Sequence, residues 1–540
     1  MLKFSRSLKL SSPTSPNPSS GSPRVGAGRR GITLTAFIKK IRKSLSTIDI
    51  FERLLLLLLF TLGFRPVLDP DFGWHLRSGL DLLKNWSVPK LDVYSYTLPN
   101  WPWVNHEWLS DGLVALIYQW LGPLALGLLF ACLIAITFLL AASLSKVELK
   151  YKIIAALIGL LAALPILGVR IQMLTLLGMS TILWLLTRYQ QKKLTHLWYL
   201  PLIFLAWANL HGGFLIGFII ILVWWLMEVI KYLIITVWPK LYKKLHITET
   251  TLTLGQIKHL LIVGLLSGLA TLVNPYGWGL HYDFYKLFTN PFAIKNISEW
   301  QAVSLAQPMA YNFAIYLVVI VILLILTYRK IEPTRWAIWI TLLCLSFLYW
   351  RNMPFFMIAS LGLLSETIQK YTHLVWDSLT RRRWLLIIFC VIIAILISQR
   401  ILDNSKALNL DNQLRQSQYY PVDALNWVKS HPDQIGTKMF NEYGWGGFLI
   451  WRFPEQKVFI DGRMPYWQMD DKFVFADTQY AVSAGAGAIQ MLEERYGVDW
   501  IMVLTGRPLD WALSGQPSWE KIYNDNISVI YRKITLNNVK

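Results

Sequence analysis

Charge is scarce in this sequence. Charged residues make up 16% of its 540 residues, whereas an ordinary soluble domain has about 25%. Apolar residues reach 54% and include 26 tryptophans, and several apolar runs approach the ~20 residues needed to cross a bilayer. These features exclude a water-soluble protein of several domains and predict a polytopic membrane protein.

Cysteine is almost absent. Cys132, Cys344 and Cys390 are the three cysteines, and all lie inside apolar runs, where a thiol behaves as a small hydrophobic side chain. They indicate neither a disulfide framework nor a cysteine-based metal site.

Acidic residues are missing from the first 48 positions, which hold ten Lys and Arg. Residues 49–399 hold 27 basic and 16 acidic residues, and residues 400–540 hold 15 and 16. The basic excess therefore lies in the tail and the apolar region, and no compact basic domain is present to bind nucleic acid. Residues 1–47 are rich in Ser, Pro, Gly and Arg and predict a disordered, basic cytoplasmic tail.

Eleven apolar stretches predict membrane spans within a transmembrane region, residues 48–399. They lie near 48–68, 113–144 (with a candidate break at Gly122-Pro123), 153–169, 172–188, 197–210, 213–238, 257–274, 312–328, 336–350, 353–369 and 384–399. With a cytoplasmic N-terminus, the inside loops hold 18 Lys and Arg and the longer outside loops hold eight, as the positive-inside rule requires. A large first external loop, 69–112, and residues 400–540 then share the external face.

Residues 400–540 alternate helix-like and strand-like segments, which favours a small external α/β domain. The predicted elements are helices at Pro421–Ser430 and Ala484–Tyr496 and strands at Lys438–Asn441, Lys457–Ile460, Trp500–Leu504 and Ile527–Arg532.

Two carboxylates and an imidazole meet the membrane surface where the first span ends. They are Asp69, Asp71 and His75. An Asp-Pro-Asp turn suits the N-terminus of the next helix, so capping is the plainer interpretation. Paired carboxylates at a low-dielectric boundary also raise each other's pKa or recruit a cation, which favours a functional site. Both interpretations stay open at this point.

His106 and Glu107 close the same loop and widen the choice of chemistry. With Asp69, Asp71 and His75 they form a conceivable set of ligands for a divalent cation. The segment HEWLS lacks the second histidine of a zinc motif, so the spacing alone does not establish a metal site.

Further polar residues stand where later spans meet the external face. Arg170, His211 and Arg351 lie at such ends, and each has a plain role as a snorkelling or turn residue. Together they supply the cations and donors that an anionic lipid head group needs. In the C-terminal domain, Asp461 and Arg463 follow a predicted strand, where ligands gather in α/β sheets, although Asp-Gly is also an ordinary turn.

These segments resemble a family of bacterial polytopic membrane proteins similar in architecture to the GT-C superfamily of integral-membrane glycosyltransferases. The resemblance covers most of residues 48–540. It is carried by DPDFGWHL and HEWL in the first loop, by WANLHGG, NPYG, ISEW and RNMPFF, and by NEYGWGGFLIWRFPEQKVFIDGR.

The resemblance implies an inverting glycosyltransferase on the external face of a bacterial inner membrane, using a sugar linked to a polyprenyl phosphate. It implies that Asp71 or Asp69 is the catalytic base, the other assisting or binding a cation. The acceptor is a lipid, glycan or protein, although no acceptor motif of an oligosaccharyltransferase is present in the C-terminal domain. We expect substrate contacts from His75, His106, Glu107, Arg170, His211, Arg351, Asp461 and Arg463.

Two other classes of function remain open. A transporter or flippase would place paired ionisable residues at mid-membrane, and only Glu228 lies well inside a predicted span. An envelope assembly protein would act through its external domain without catalysis.

Overall fold

Each of the eleven predicted apolar stretches coincides with a helix in the computed structural model. The structure describes residues 49–65, 67, 69–240, 251–327, 332–381, 383–406 and 409–534, so the predicted N-terminal tail lies outside the described residues. Helices of this part are α1 (Ile50–Gly63), α2 (Phe72–Asn85), α3 (Trp108–Ala142), α4 (Leu149–Ala163), α5 (Gln172–Gln190), α6 (Tyr199–Leu210), α7 (Phe214–Val237), α8 (Leu254–Ala270), α9 (Gly279–Thr289), α10 (Pro291–Asn296), α11 (Pro308–Thr327), α12 (Pro333–Leu348), α13 (Met353–Arg381) and α14 (Arg383–Lys406).

Four of these helices, α3, α7, α11 and α14, are long and apolar enough to cross a bilayer, and the shorter apolar helices α6, α8 and α12 accompany them. The prediction of a mostly helical, multi-pass membrane protein is therefore confirmed. The count of eleven spans stays a prediction.

A kink divides α3 at the predicted position. The backbone of Gly122 leaves helical geometry, with φ 77° and ψ 178°, and Pro123 follows it inside the helix. Proline lacks the N–H that would bond back to the preceding turn, which interrupts the helix at this point.

The C-terminal region contains the predicted α/β structure. Four strands form a sheet in the order β1-β4-β6-β5, in which β1 and β4 are parallel and the other pairs are antiparallel. The elements are α15 (Leu410–Gln416), α16 (Val422–Ser430), β1 (Met439–Asn441), α17 (Gly446–Arg452), β2 (Gln468–Met469), β3 (Lys472–Phe473), α18 (Val474–Ala484), α19 (Ala486–Tyr496), β4 (Trp500–Leu504), α20 (Pro508–Ser514), β5 (Trp519–Asn524) and β6 (Ser528–Lys533).

The prediction of a strand at Lys457–Ile460 was wrong, because this segment does not join the sheet. It makes an isolated β-bridge with the loop between α1 and α3, here called the first loop. Val458 donates its N–H to the carbonyl of Tyr94 at 3.0 Å and accepts the N–H of Tyr96 at 3.2 Å. The side chain of Asn441 accepts the N–H of Phe459 at 2.8 Å. The backbone groups that a sheet would pair are thus used to dock the first loop.

A close helix crossing fixes the same contact. Gly73 of α2 faces Gly447 of α17, and a Cβ at Gly73 would collide with the Gly447 carbonyl. The glycine-rich segment around residue 447 therefore allows two helix backbones to approach, the packing role that glycine permits best. Side chains larger than hydrogen at these positions would separate the C-terminal region from the start of α2.

We expect the first loop and the C-terminal region to lie on the external face, because the loop charges favour a cytoplasmic N-terminus. Ser87 and Ser518 are exposed, whereas Ser11 lies outside the described residues. In a variant without the native cysteines, an impermeant thiol reagent on intact cells should label a cysteine at position 87 or 518 and leave one at position 11 unlabelled. The reverse pattern would contradict the orientation.

Candidate functional site

The two carboxylates of the Asp69-Pro70-Asp71 turn have different partners. Asp69 Oδ1 accepts the backbone N–H of Asp71 at 3.0 Å, which closes the turn that precedes α2. Asp71 stands at the N-cap of α2 and yet makes no side-chain cap bond; its Oδ1 accepts the indole N–H of Trp74 at 3.0 Å. The Asp71 carboxylate is therefore not used to cap α2.

A chain of alternating charges extends from Asp69. Arg170 donates from Nε to Asp69 Oδ2 and from Nη2 to Glu299 Oε1, each at 2.6 Å. Arg351 Nε lies 3.9 Å from the other oxygen of Glu299. Burial disfavours the charged guanidinium, but Asp69 and Glu299 raise the pKa of Arg170 above its ordinary value. These ion pairs connect the first loop to the turns before α5, α11 and α13.

Arg351 is the less committed of the two arginines in this chain. Its side chain is 28% exposed and its ion pair with Glu299 is long, at 3.9 Å, whereas Arg170 has short bonds to two carboxylates. Arg351 can therefore turn its donors toward an anion at smaller cost.

The pKa of the Asp71 carboxyl group is shifted toward neutral pH. Burial and the neighbouring Asp69 raise the pKa of Asp71 to about 6, while His75 and the bond from Trp74 oppose the rise. A carboxylate whose pKa is near the working pH is largely ionised and still binds a proton strongly enough to act as a general base. Asp71 therefore has the properties expected of a general base.

A second cluster centres on Glu107, the residue before α3. Three imidazoles face its carboxyl group: the Nε2 atoms of His75 and His211 lie 3.3 Å from its oxygens, and that of His106 lies 3.7 Å away. His75 also contacts Asp111 through Nδ1 at 2.7 Å. The cluster thus brings together four of the predicted substrate-contacting residues, three from the first loop and His211 from the turn between α6 and α7.

The pKa values of the ionisable groups in the Glu107 cluster are shifted in different directions. Burial raises the pKa of Glu107 to about 8. Burial alone would lower the pKa of His75, but Glu107 and Asp111 raise it to about 9. Burial lowers the pKa of His106 to about 4 and lowers that of His211 as well. At neutral pH His75 is the cation, and the other two imidazoles are neutral.

The tautomer of His211 follows from its contacts. Its Nδ1 accepts the N–H of Gly213 at 2.9 Å and lies 2.6 Å from the hydroxyl of Thr175. The proton of the neutral ring is therefore on Nε2, which faces Glu107.

The Asp461-Gly462-Arg463 turn closes over Asp71. A Cβ at Gly462 would collide with Asp71 Oδ1. The guanidinium of Arg463 is turned away from solvent: it makes two bonds of 2.7 Å to Asp461, and its Nη1 lies 2.9 Å from Asp92 Oδ1. Arg463, Asp461 and Asp92 are all buried, so the guanidinium joins the turn to the first loop.

The carboxylates of the turn do not form a converging set of metal ligands. Asp69 is engaged with Arg170 and with a backbone N–H, and within the described ranges no group of three or more His, Cys, Asp or Glu is arranged to hold a metal ion. A divalent cation at Asp69 and Asp71 does not fit this donor set, and no step proposed below uses one.

Asp111 and Asp92 are partners of the candidate site that the sequence interpretation missed. Asp111 lies in the first turn of α3, four residues after Glu107, the residue before that helix, and its N–H bonds to the Glu107 carbonyl at 2.9 Å. The sequence interpretation noted Glu299 only as a polar residue where a span meets the external face and did not count it among the substrate contacts. Asp92 carried no local signal, because its partner is 371 positions away in the chain.

Comparison with solved structures identifies the architecture. The archaeal oligosaccharyltransferase AglB from Archaeoglobus fulgidus, solved with an inhibitory peptide and a dolichol-phosphate, matches with a TM-score of 0.50 and 11% identity over 84% of this chain and 69% of that one. The Archaeoglobus fulgidus oligosaccharyltransferase tethered to an acceptor peptide containing the NVT sequon matches with a TM-score of 0.50 and 10% identity, over 84% of this chain and 68% of that one.

No protein-family profile matches the sequence, and no curated protein matches it either. At this identity the structural likeness shows the fold alone: the chain shares the fold of the Archaeoglobus fulgidus oligosaccharyltransferase. The activity has to be argued from the site.

Proposed function

We propose that this protein is an inverting, integral-membrane glycosyltransferase of the GT-C type. It transfers a sugar from a polyprenyl-phosphate-linked donor to a hydroxyl group on the external face of a bacterial inner membrane. The observation that carries the proposal is the state of Asp71: a carboxylate that makes no cap bond to α2 and has a pKa of about 6, beside the ion pairs that include Arg170 and Arg351.

In the proposed reaction, one group accepts the proton and another stabilises the leaving phosphate. Asp71 accepts the proton of the acceptor hydroxyl as its oxygen attacks the anomeric carbon, and the bond from that carbon to the phosphate oxygen breaks. Arg351 turns toward the departing phosphate and stabilises its charge. Arg170 holds Asp69, which fixes the turn that presents Asp71. The dolichol-phosphate bound by the archaeal relative supports a lipid phosphate as the donor group.

The remaining predicted contacts enter this proposal with different roles. His75 lies one turn after Asp71 and links it to the Glu107 cluster, so His106, Glu107 and His211 are proposed to bind the acceptor side. The backbone of Gly462 lies against Asp71, and we propose that Arg463 holds that turn in place through Asp461 and Asp92.

The pH dependence of transfer tests the proposal. Because Asp71 must be ionised to accept a proton, kcat/KM should be constant above its pKa of about 6 and fall about tenfold per pH unit below it. The assay is sugar transfer by the purified protein from a polyprenyl-phosphate-linked donor. A rate that stays flat through pH 6 while the protein remains folded would contradict Asp71 as the base.

A further inference from the structure

Four positively charged side chains lie together at the end of α3 that is farther from the first loop. They are called the basic cluster here and are Lys146, Lys152, Arg188 and Lys193. Arg188, in the last turn of α5, donates from Nη2 to the carbonyl of Ser143, three residues before Lys146, at 3.3 Å. The backbone N–H of Lys193 bonds to the Arg188 carbonyl at 2.9 Å. These two bonds bring the loop after α3 and the loop after α5 together.

The charges of the basic cluster act on one another. Partial desolvation and the positive charge of Arg188 lower the pKa of Lys193. Lys146 and Lys152 act on Lys193 in the same direction, and Lys146 also contacts it through its side chain. The charge of Arg188 acts on Lys152 as well. Like charges at this separation repel, so the arrangement raises the free energy of the folded protein unless an anion compensates it.

No carboxylate within the described ranges pairs with a member of the basic cluster. The acidic residue nearest in the sequence, Glu148, pairs with Lys150 at 2.8 Å. Glu366, which reaches the same loop, accepts the hydroxyl of Ser145 at 2.7 Å and lies 3.6 Å from Arg335. Both acidic side chains have other cations as partners, so the cluster keeps its positive charge for an external anion.

Aromatic side chains indicate that the basic cluster lies at the level of the lipid head groups. The guanidinium of Arg188 lies 5.4 Å from the ring centre of Trp184. Trp198 and Tyr199, at the start of α6, are 50% and 51% exposed, as is typical of aromatic residues at the membrane–water boundary. The two loop lysines of the cluster are also exposed. We expect this face to be the cytoplasmic one, where anionic lipids attract basic residues.

We propose that the basic cluster is a binding site for the phosphate of an anionic membrane lipid. The guanidinium of Arg188 and the lysine ammonium groups donate charge-assisted hydrogen bonds to the phosphate oxygens, while the acyl chains stay in the bilayer. The lipid replaces repulsion within the cluster by attraction and joins the loop after α3 to the end of α5. The site uses none of the residues of the proposed reaction, so it does not rest on the proposed function.

A plainer interpretation is that these residues only orient the chain in the membrane. Orientation depends on how many Lys and Arg a loop holds and does not require cations from two loops to converge. If orientation is their only role, attraction of an anionic lipid should depend on net charge and not on which lysines are removed.

Native mass spectrometry of the full-length protein in detergent measures lipid binding directly. The probes are phosphatidylglycerol and phosphatidylcholine with the same acyl chains. We expect phosphatidylglycerol to bind about tenfold more tightly or better, with an affinity that falls as salt screens the charges. Lys146→Gln combined with Lys193→Gln should weaken phosphatidylglycerol binding about thirtyfold, equivalent to about 2 kcal/mol, and leave phosphatidylcholine binding unchanged.

Lys240→Gln combined with Lys370→Gln is the matched control, because it removes the same charge from two exposed lysines of the same predicted face. Lys240 follows α7, and Lys370 donates to the hydroxyl of Tyr371 at 2.8 Å. This variant should bind phosphatidylglycerol as the wild type does. The unfolding temperature without added lipid establishes that both variants are folded.

Four results would overturn the proposal. They are equal affinity of the wild type for the two lipids, unchanged binding in the cluster variant, equal loss in the control variant, which indicates attraction by net charge only, and displacement of phosphatidylglycerol by an equal concentration of inorganic phosphate, which indicates a site for a free anion. No sugar donor or acceptor is present in these measurements, so their outcome is independent of the proposed activity.

Discussion

Asp71→Asn should lower the rate of sugar transfer by about 10²–10⁴-fold, the contribution of a positioned general base, while the protein still inserts and folds. Asparagine is nearly isosteric with aspartate and keeps an oxygen to accept the N–H of Trp74, which is the bond that Asp71 makes in the structure. The variant loses the ability to take up a proton. The measurement is kcat for transfer from a polyprenyl-phosphate-linked donor by purified wild type and variant.

Asp69→Asn is the matched control for this experiment. Asp69 has its oxygens engaged with Arg170 and with the N–H of Asp71, so its replacement should weaken the charge chain more than the proton transfer. We expect a smaller loss of kcat, accompanied by a lower unfolding temperature. Full activity in both variants would leave the acidic turn as a helix cap and remove the catalytic candidate.

The outcome also decides between the classes of function left open by the sequence. A transporter would show no dependence of sugar transfer on Asp71, and its ionisable residues would serve passage across the bilayer. Glu228 makes a bond of 2.6 Å to Lys231, which also pairs with Glu332, and both Glu228 and Lys231 are buried. This satisfied cluster joins α7 to the start of α12 and has the form of a structural contact.

Local patterns were sufficient for the apolar helices, whereas in the C-terminal region the strand Trp519–Asn524 was not predicted. Apolar runs placed the helices, and the Gly122-Pro123 pair marked the kink, because each depends on residues close together in the chain. The segment Lys457–Ile460 has the alternation of a strand, and its pairing with Tyr94 and Tyr96 depends on how the first loop docks. Sequence periodicity indicates an extended backbone but does not predict which segment that backbone pairs with.

The site was predictable as a set of residues and not as a set of contacts. The first-loop residues were found because ionisable groups are unusual at the end of a span. Arg170 lies 101 positions from Asp69 and 129 from Glu299, so their pairing is set by helix packing. The same limit applies to Arg463, whose position in a turn after an apolar segment suggested an exposed binding residue.

Arg463→Ala should destabilise the protein by about 3–5 kcal/mol, the usual cost of removing one partner of a buried ion pair. The guanidinium pairs with both Asp461 and Asp92, and all three side chains are buried. It also lies 4.5 Å from the ring centre of Trp103 and 5.0 Å from that of Tyr94. Its removal leaves two carboxylates in a region that excludes water, and it loosens the contact between the first loop and the C-terminal region.

Arg532→Ala provides the comparison, because Arg532 pairs with Glu520 at the surface of the sheet, where the two side chains are 33% and 50% exposed. Such pairs contribute about 0–1 kcal/mol. Unfolding of wild type and both variants in one detergent measures the difference. A triple variant, Arg463→Met with Asp461→Asn and Asp92→Asn, should recover most of the loss, because no uncompensated charge then remains buried.

Arg463 could either hold the Asp461-Gly462-Arg463 turn in place, here called the clamp, or bind the acceptor. The acceptor KM distinguishes these two roles. If Arg463 binds the acceptor, Arg463→Ala should raise KM while the unfolding temperature stays near that of the wild type. If it clamps the turn, the unfolding temperature falls, and the triple variant recovers stability and transfer together although the arginine is absent. We expect the second pattern, because a guanidinium enclosed by two carboxylates and two aromatic rings has no free face for a substrate, while the Gly462 backbone it holds in place lies directly against Asp71.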